Sequence, residues 1–337
     1  MKNLLKNFIL TPLASRPVSL LASQFLNSHT PIFLVHQLVH DEDGYGITLH
    51  HLRKCLGYLV KNGHHFISLE DAISAIKNNT LLPKKSVVFT MDDGYMEQAT
   101  IVAPIFLEFN CPITFFIISD VLDQKLWPWD AKVSWLISNS PKSQLTINFD
   151  DETLHLDISS TEKKHHARHR VRDYIKETSA EEVDYNLNKL ALAAGISIPD
   201  TAPELYKAAN WDIVRDLENK GVRFAPHSKT HRILSKMQAT TARLEIEHSW
   251  KRLNEELHNP LNVFCYPTGR QFDFGPREIG ILKENNFIGA VSTIPGFIRT
   301  NKKHHHKLYS LPRLALPDNM PDFIQYCSWI ESIRGTP

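Results

Sequence analysis

Residues 87–94 read Val87-Val88-Phe89-Thr90-Met91-Asp92-Asp93-Gly94, an apolar run that ends in two carboxylates and a glycine. Such a run of β-branched and aromatic residues is typical of a strand buried on both faces. In barrels and open α/β sheets, functional groups gather at the carboxyl ends of the strands. The run therefore predicts a central strand with Asp92 and Asp93 at a potential site, although alone it is more typical of a solvated Asp-Gly turn.

Six further apolar runs predict strands, and amphipathic segments between them predict helices. The predicted strands are Pro31–His36, Pro112–Ser119, Gly221–Pro226, Leu261–Tyr266, Phe287–Ser292 and Leu308–Arg313. The predicted helices are Leu49–Asn62, Leu69–Lys77, Glu97–Phe109, Ser235–Leu257 and Pro276–Glu284. This alternation predicts an α/β fold with a parallel sheet, either open or closed into a barrel.

The alternation is interrupted between Ser119 and Gly221. Residues on both sides of Asp150-Asp151 alternate in polarity, which predicts a β-hairpin. Three helices are predicted after it, and Ser179 followed by Glu182 fits a capping box before the second. The hairpin strands are Leu145–Phe149 and Thr153–Ile158, and the helices are Thr161–Thr178, Glu181–Ala194 and Pro203–Lys220.

The chain therefore divides into four parts. With 337 residues, 42% of them hydrophobic, it is long enough to bury a large core. The predicted parts are an N-terminal arm (1–30), a core (31–119 and 203–316), an insertion or lid on one face of that core (120–202) and a C-terminal helix (317–337).

Charge and cysteine content exclude several classes of protein. The 38 Lys and Arg residues balance 37 Asp and Glu residues, which argues against nucleic acid as a partner. The four cysteines form no C-x-x-C pair, so a disulfide framework or a zinc ribbon is not expected. Free thiols fit a reducing compartment.

The N-terminal arm lacks the features of a secretion signal. Its apolar residues are interrupted by Pro12, Arg16 and Pro17, which favours a loose arm over a cleaved signal. Residues 17–39 are too polar to span a membrane, but a short amphipathic segment of the arm, or the basic insertion helix, could contact a membrane surface. We therefore expect a cytoplasmic location, including the inner membrane surface, rather than a secreted or periplasmic one.

Two other motifs follow predicted strands. His227-Ser228-Lys229-Thr230-His231 places two histidines four residues apart, a spacing that suits two imidazole ligands of a zinc-type ion or, alternatively, a polar loop that caps the next helix. Val263-Phe264-Cys265-Tyr266-Pro267-Thr268-Gly269 ends a strand in a sharp turn. Alone it indicates only a turn, but it could also aim the backbone N–H of Tyr266 into a site.

The combination is more informative than any single motif. Asp93, His227 and His231 at the ends of different strands would give a three-ligand metal site with an open position. Asp92, beside the ligand Asp93, could then accept a proton from metal-bound water. Independent turns have no reason to supply this set together.

These motifs resemble those of the polysaccharide deacetylase family, carbohydrate esterase family 4, which is similar to nodulation-factor deacetylases. Thr90–Gly94 resembles the first motif, with Met91 where Phe is usual; His227–His231 matches the second; Phe264–Gly269 resembles the Tyr-Pro-x-Gly form of the third. The resemblance covers about residues 31–316. It implies a distorted (β/α) barrel of about seven parallel strands with a mostly helical insertion.

The resemblance also implies roles for individual residues. Asp92 would be the general base, and the backbone N–H of Tyr266 would stabilise the oxyanion. Asp93, His227 and His231 would hold the metal. In the Tyr-Pro subgroup an arginine often occurs late in the chain, and we hypothesise that Arg313 orients Asp92 and keeps it ionised. The alternative for Arg313 is a surface salt bridge.

One expected element is missing, because no Leu-x-His motif supplies a general acid. His36, at the end of the first predicted strand, is one candidate, and the alternative is a hydrogen-bonded core histidine. His304-His305-His306 is another candidate, for which a mobile basic loop is the alternative.

The expected activity is metal-dependent removal of N-acetyl groups from a sugar in a polysaccharide, oligosaccharide or lipid-linked glycan. Zn²⁺ is the expected metal, with nickel, cobalt and manganese left open. Two alternatives remain: hydrolysis of a non-sugar amide or cyclic imide on the same fold, and a catalytically silent glycan-binding protein.

Two features of the insertion leave their role open. Trp127 and Trp129 could stack on sugar rings, but the more typical role is to anchor the insertion to the barrel. The basic run Lys163–Arg172 is typical of a solvated helix face, or it could meet a phosphate-bearing substrate or anionic lipid.

Overall fold

The computed structural model describes residues 29–36, 47–300 and 307–328. Most of the predicted N-terminal arm, the His304-His305-His306 candidate and the end of the predicted C-terminal helix lie outside the described residues. None of the described helices is both long enough and apolar enough to cross a lipid bilayer.

The core is a set of parallel strands. A continuous sheet has the order β10-β1-β3-β4-β7, β2 pairs with the start of β3, and β8 pairs with β9. The parallel strands are β1 (Ile32–Val35), β2 (His65–Phe66), β3 (Ser86–Asp93), β4 (Ile113–Ile117), β7 (Arg223–Pro226), β8 (Val263–Cys265), β9 (Gly289–Val291) and β10 (Leu314–Ala315). Every residue of β3 is buried, as its apolar sequence predicts.

Two short contacts close this sheet into a ring. The Leu261 N–H donates to the Phe224 carbonyl (2.7 Å), which joins the β8–β9 pair to β7. On the other side, Val291 of β9 forms a parallel bridge with Leu311, just before β10. Seven strands thus encircle the core, with β2 beside β3, and the prediction of a distorted α/β barrel of about seven parallel strands is confirmed.

The predicted strand Leu308–Arg313 is wrong, because the strand in the sheet is Leu314–Ala315. Leu308 and Leu311 instead exchange backbone hydrogen bonds with Ala290 of β9. The Arg313 N–H donates to the Ile294 carbonyl (3.1 Å), and the chain then pairs with β1 through Leu314 and Ala315.

Helices cover the outside of the ring. The predictions for α1, α2 and α10 are correct to within one residue, and Thr48 and Ser68 cap the first two through their side chains. The helices are α1 (Leu49–Lys61), α2 (Leu69–Asn78), α3 (Ala103–Glu108, preceded by a π-helical turn at Gln98–Val102), α4 (Ser119–Leu122), α5 (Trp129–Asn139), α6 (Thr161–Glu177), α7 (Val183–Ala194), α8 (Trp211–Asn219), α9 (Ala239–Glu256), α10 (Pro276–Glu284) and α11 (Met320–Tyr326).

The predicted helix Pro203–Lys220 is wrong over its first half. Asn210 caps α8 at the Ile213 N–H, so the helix begins only at Trp211. Before it, Ala208 forms an antiparallel bridge with Tyr95, which takes the backbone into an extended conformation beside the first motif.

Residues between α4 and α8 form a mostly helical insertion with a hydrophobic core of its own. The predicted hairpin is confirmed as β5 (Gln144–Asn148) and β6 (Thr153–Asp157), and Ser179 and Glu182 form the predicted capping box. Helix α5 was not predicted, because its buried residues lie on more than one side, between α6 and α7. The separate core includes Val133, Leu136, Ile147, Leu154, Val171, Leu187 and Leu190.

Both ends of the insertion are hydrogen-bonded to the site motifs. At its start, the Asp120 N–H donates to the Lys229 carbonyl of the second motif (3.0 Å). At its end, the Met96 N–H donates to the Lys207 carbonyl (2.8 Å), next to the first motif.

Candidate active site

The site lies where β3, β7 and β8 end. Asp92 and Asp93 are the last residues of β3, and His227 directly follows β7. Asp93, Ser228 and His231 have φ values of 85°, 62° and 62°, in the left-handed region that non-glycine residues rarely adopt. Such conformations concentrate at functional sites, where the surrounding structure holds them in place.

Gly94 allows the sharp turn after the two carboxylates. Its φ is 91°, and a Cβ atom there would lie 2.8 Å from Leu122 Cδ1. The Gly94 and Tyr95 N–H groups both donate to Oε1 of buried Gln98 (3.0 Å each), which fixes the turn from the helix that follows.

Asp93, His227 and His231 converge on one point. Asp93 Oδ1 lies 3.7 Å from His227 Nε2 and 3.6 Å from His231 Nε2. One donor atom from each residue lies within 4.8 Å of the others. A carboxylate and two imidazoles form the three-ligand set that catalytic zinc sites use, with further positions open.

The environment of Asp93 fits a bound cation. Both of its oxygens are buried, and neither accepts a hydrogen bond from any residue that the structure describes. A buried carboxylate without donors is costly, and burial raises the pKa of Asp93. A divalent cation between Asp93 and the two imidazoles would supply the missing partner.

Outer contacts orient both histidines. The Cys265 carbonyl can only accept, so His227 Nδ1 donates to it (2.9 Å) and Nε2 is left to face Asp93. Burial lowers the pKa of His227 to about 3, so its ring is neutral, as a metal ligand requires. His231 Nδ1 lies 3.5 Å from Asp130 Oδ1. Burial alone would lower the pKa of His231, but Asp130 and Asp93 outweigh it and raise the pKa to about 9.

The second-motif loop is held by a buried carboxylate that the sequence analysis missed. Glu245, in α9, accepts from the Lys229 N–H (3.0 Å), the Thr230 N–H (2.8 Å) and the Thr230 hydroxyl (2.7 Å). No motif surrounds Glu245, so the sequence contained no signal for it. Asp130, which directly follows Trp129 in the sequence, was also not predicted as a partner of His231.

Asp92 forms a buried bidentate ion pair with Arg313. Arg313 Nη1 and Nη2 each lie 2.7 Å from one carboxylate oxygen. Arg313 Nε also donates to the Ser292 carbonyl (2.9 Å), and the side chain is buried, which excludes a surface salt bridge. Burial alone would raise the pKa of Asp92, but the guanidinium outweighs it and lowers the pKa to about 2. Asp92 is therefore ionised at neutral pH.

A second group of donors, Asp92, His227 and Cys265, is also close enough to hold a metal. Both oxygens of Asp92 are already taken by Arg313, and Arg313 Nη2 lies 3.2 Å from Cys265 Sγ. The positive charge beside these atoms disfavours a cation, so the group that contains Asp93 fits better.

The remaining predicted residues lie in the same cleft. His36 Nε2 is 3.3 Å from Asp93 Oδ2, and its side chain is 52% exposed. The Tyr266 N–H donates to the Val291 carbonyl across a long distance of 3.4 Å. The Tyr266 ring stacks on Phe274, and the Tyr266 hydroxyl donates to the Tyr309 carbonyl (3.0 Å).

The cleft has a volume of about 790 Å³ and lies between the barrel and the insertion. Trp127 and Trp129 are both buried, and their indole N–H groups donate to the carbonyls of Pro199 and His231 (3.1 Å each). The Trp129 bond therefore joins the insertion to the barrel, whereas the Trp127 bond lies within the insertion and its ring belongs to a cluster that includes Tyr95 of the barrel. Trp129 also supports the loop that carries His231.

Comparison with known proteins agrees with this geometry. The polysaccharide deacetylase profile matches residues 80–274.

The chain is similar in structure to the Streptococcus pyogenes deacetylase PplD in complex with acetate, with 16% identity and a TM-score of 0.58 over 90% of this chain and 99% of that one. It is also similar to IcaB from Ammonifex degensii, with 14% identity and a TM-score of 0.57 over 90% and 97%. A de-N-acetylase from Aggregatibacter actinomycetemcomitans is 15% identical, with a TM-score of 0.52 over 89% and 100%. At these identities the likeness establishes the fold. No curated protein matches the chain in sequence.

Proposed function

Because the chain belongs to the polysaccharide deacetylase family, as its motifs predicted, we propose that it is a metal-dependent hydrolase that removes N-acetyl groups from a sugar in a glycan. The observation that carries this proposal is Asp93, a buried carboxylate without hydrogen-bond donors among the described residues, beside two histidines and an ionised Asp92. Membership of the Tyr-Pro-x-Gly subgroup stays a prediction.

The side chains of Asp93, His227 and His231 would hold the cation, and we propose Zn²⁺, with nickel, cobalt or manganese as alternatives for the same donors. A cation bound there supplies a Lewis acid for the acetamide carbonyl and for the attacking water. Neutral His227 is ready to bind it, whereas His231 must first lose its proton.

The chain's own residues perform the proton transfers. Asp92 accepts a proton from the attacking water, and Arg313 keeps Asp92 ionised and fixed in orientation. His36 is a half-exposed imidazole whose Nε2 lies 3.3 Å from Asp93 Oδ2, and we assign it the proton that the leaving amine requires. The Tyr266 N–H, whose present hydrogen bond is long, is the proposed donor to the oxyanion.

The test combines metal content with acetate release from N-acetylated glycan fragments. Wild-type protein should hold about one metal ion per chain and release acetate, and His227→Ala should lose both. Asp92→Asn should keep the metal but lose turnover by about a hundredfold or more, because a general base is removed. His155→Ala, at an exposed histidine of the hairpin, is the control and should change neither quantity.

Each contradictory result points to a specific alternative. Metal without acetate release from any sugar would favour a non-sugar amide as the substrate. Wild-type protein without metal would favour a silent glycan-binding protein. Full activity in Asp92→Asn would contradict the assignment of the base.

A further inference from the structure

Helix α6 presents a stripe of cations to the cleft that contains the metal centre. Lys164, Arg168, Arg172 and Lys176 are each four residues apart, so they lie on one face of the helix. All four line the same cleft as Asp93, His227 and His231. The stripe extends over about 18 Å, long enough to follow several sugar residues.

The stripe starts close to the metal ligands. Arg172 Nη2 donates to the backbone carbonyl of Asp130 (3.1 Å). The carboxylate of the same Asp130 lies 3.5 Å from His231 Nδ1. One residue therefore separates the basic stripe from a proposed metal ligand.

Three of these cations donate to neutral acceptors, and the fourth, Lys176, lies 3.7 Å from the Asp173 carboxylate. Lys164 Nζ donates to the Ser138 carbonyl (2.9 Å), and Arg168 Nη2 donates to the Ser138 hydroxyl (2.8 Å). Arg172 also donates to the Ser134 hydroxyl. Neutral acceptors fix the direction of the side chains but leave their charge, and each guanidinium has five N–H donors to share.

The other face of the same helix is different. Lys163 Nζ lies 2.7 Å from the Asp157 carboxylate, and Arg170 Nη2 lies 3.4 Å from the Glu152 carboxylate. These two outer cations thus pair with acids, whereas Lys164 and Arg172 of the cleft face donate to neutral groups. This difference explains how a solvated face and a ligand-binding face can occur on one basic helix.

The cations of the cleft also repel one another. Burial, together with the charges of Arg168 and Arg172, lowers the pKa of His165, which lies on the same side of α6. Burial and nearby Arg270 and Arg172 lower the pKa of Lys176, against the opposing effect of Asp173. An anion in the cleft would relieve this repulsion.

We propose that the α6 stripe binds a carboxylate or phosphate group carried by the glycan whose N-acetyl sugar occupies the metal centre. The proposal rests on the proposed deacetylase function and narrows its substrate class to anionic glycans. Arg side chains suit both groups, because their paired N–H donors match two oxygens of either anion.

The test measures binding and acetate release separately, on the metal-loaded full chain. The probes are a neutral oligomer of N-acetylglucosamine, an equally long oligomer of alternating uronic acid and N-acetylglucosamine, and N-acetylglucosamine 1-phosphate. The cleft-face variant is Lys164→Gln/Arg168→Gln. The matched control, Lys163→Gln/Arg170→Gln, also removes one Lys and one Arg charge, but from the other face of the same helix.

We expect at least one anionic probe to bind about tenfold or more tightly than the neutral oligomer at low salt, and this preference to weaken steeply at high salt. The cleft-face variant should lose the preference, and the matched control should keep it. A preference for the uronate oligomer would identify a carboxylate in the polymer, and one for the sugar phosphate would identify a phosphate.

Three results would overturn the inference: equal affinity for neutral and anionic probes, equal loss of preference in both variants, or a lower Tm in the cleft-face variant with an unchanged preference. The last would show that the stripe only joins α6 to α5.

Anion preference without acetate release from any probe would contradict the proposed function but support the anion site. Equal acetate release from neutral and anionic probes, unchanged in the variant, would contradict only the inference.

Discussion

Arg313 lies against both oxygens of Asp92 in the interior of the barrel, where neither side chain is exposed to solvent. Burial alone would raise the pKa of the Asp92 carboxyl, and the guanidinium is the main group that opposes this effect. The ion pair therefore helps to keep Asp92, the proposed general base, ionised. Since the pKa of Asp92 is lowered to about 2, its stabilising effect is fully present above about pH 4 and is lost as the pH falls through about 2.

We predict that Arg313→Met lowers kcat by about a hundredfold or more and moves the acid limb of the pH–rate profile to higher pH. Removal of one partner should also cost about 3–5 kcal/mol of unfolding free energy, because Asp92 stays buried without its cation. Arg313→Lys keeps a positive charge, so its losses of kcat and of unfolding free energy should both be smaller than those of Arg313→Met. Profiles of kcat against pH and urea unfolding measure them.

A lower unfolding free energy with an unshifted pH–rate profile would contradict this role. Arg313 would then be a structural residue alone, and another group would keep Asp92 ionised.

At the scale of elements, α9 supports the second-motif loop through Glu245. Its carboxylate accepts three hydrogen bonds from Lys229 and Thr230, directly between the two proposed histidine ligands. The strained backbone at Ser228 and His231 needs such support.

We predict that Glu245→Ala weakens metal affinity by about 10–100-fold, because the loop loses the contacts that orient the ligands. Glu245→Gln keeps the shape of the side chain and should lose less metal affinity than Glu245→Ala. Glu255→Gln, at a partly exposed site on the same helix, is the control and should bind metal normally. Competition with a chelator measures the affinity, and unchanged affinity in Glu245→Ala would show that the loop holds its shape without α9.

The sequence predicted those elements whose signals are local. Helices α1 and α2 have side-chain caps and an apolar stripe, and the hairpin alternates in polarity, so their bounds were found to within a residue or two. The strand at Leu314 was misplaced because the choice between β9 and β1 as its neighbour depends on the closed ring. Glu245 was missed for the same reason, since only the packing of α9 brings it to the loop.

At the scale of the whole molecule, the barrel and the insertion have separate hydrophobic cores. Leu190 is fully buried in the insertion, and Leu56 is fully buried in the barrel. Separate cores allow local opening of one part while the other stays closed.

Leu190→Ala leaves a cavity that should lower the free energy of unfolding by about 2–5 kcal/mol. We predict that it speeds amide hydrogen exchange in the insertion and leaves β3 and β4 protected. Leu56→Ala is the matched substitution in the barrel and should speed exchange there. Peptide-resolved hydrogen exchange measures both, and equal acceleration across the chain in Leu190→Ala would mean that the two cores unfold as one unit.

The backbone contacts at the two ends of the insertion have a consequence for engineering. Asp120 is hydrogen-bonded to Lys229 of the second motif, and Lys207 is hydrogen-bonded to Met96 beside the first. A chimera that exchanges only the residues between Asp120 and Lys207 keeps both of these backbone contacts in the parent protein. An exchange that extends past Asp120 or Lys207 would replace one of these contacts as well as the insertion residues that line the cleft. In either chimera Trp129 and Asp130 must be retained, because both contact His231 from within the exchanged segment.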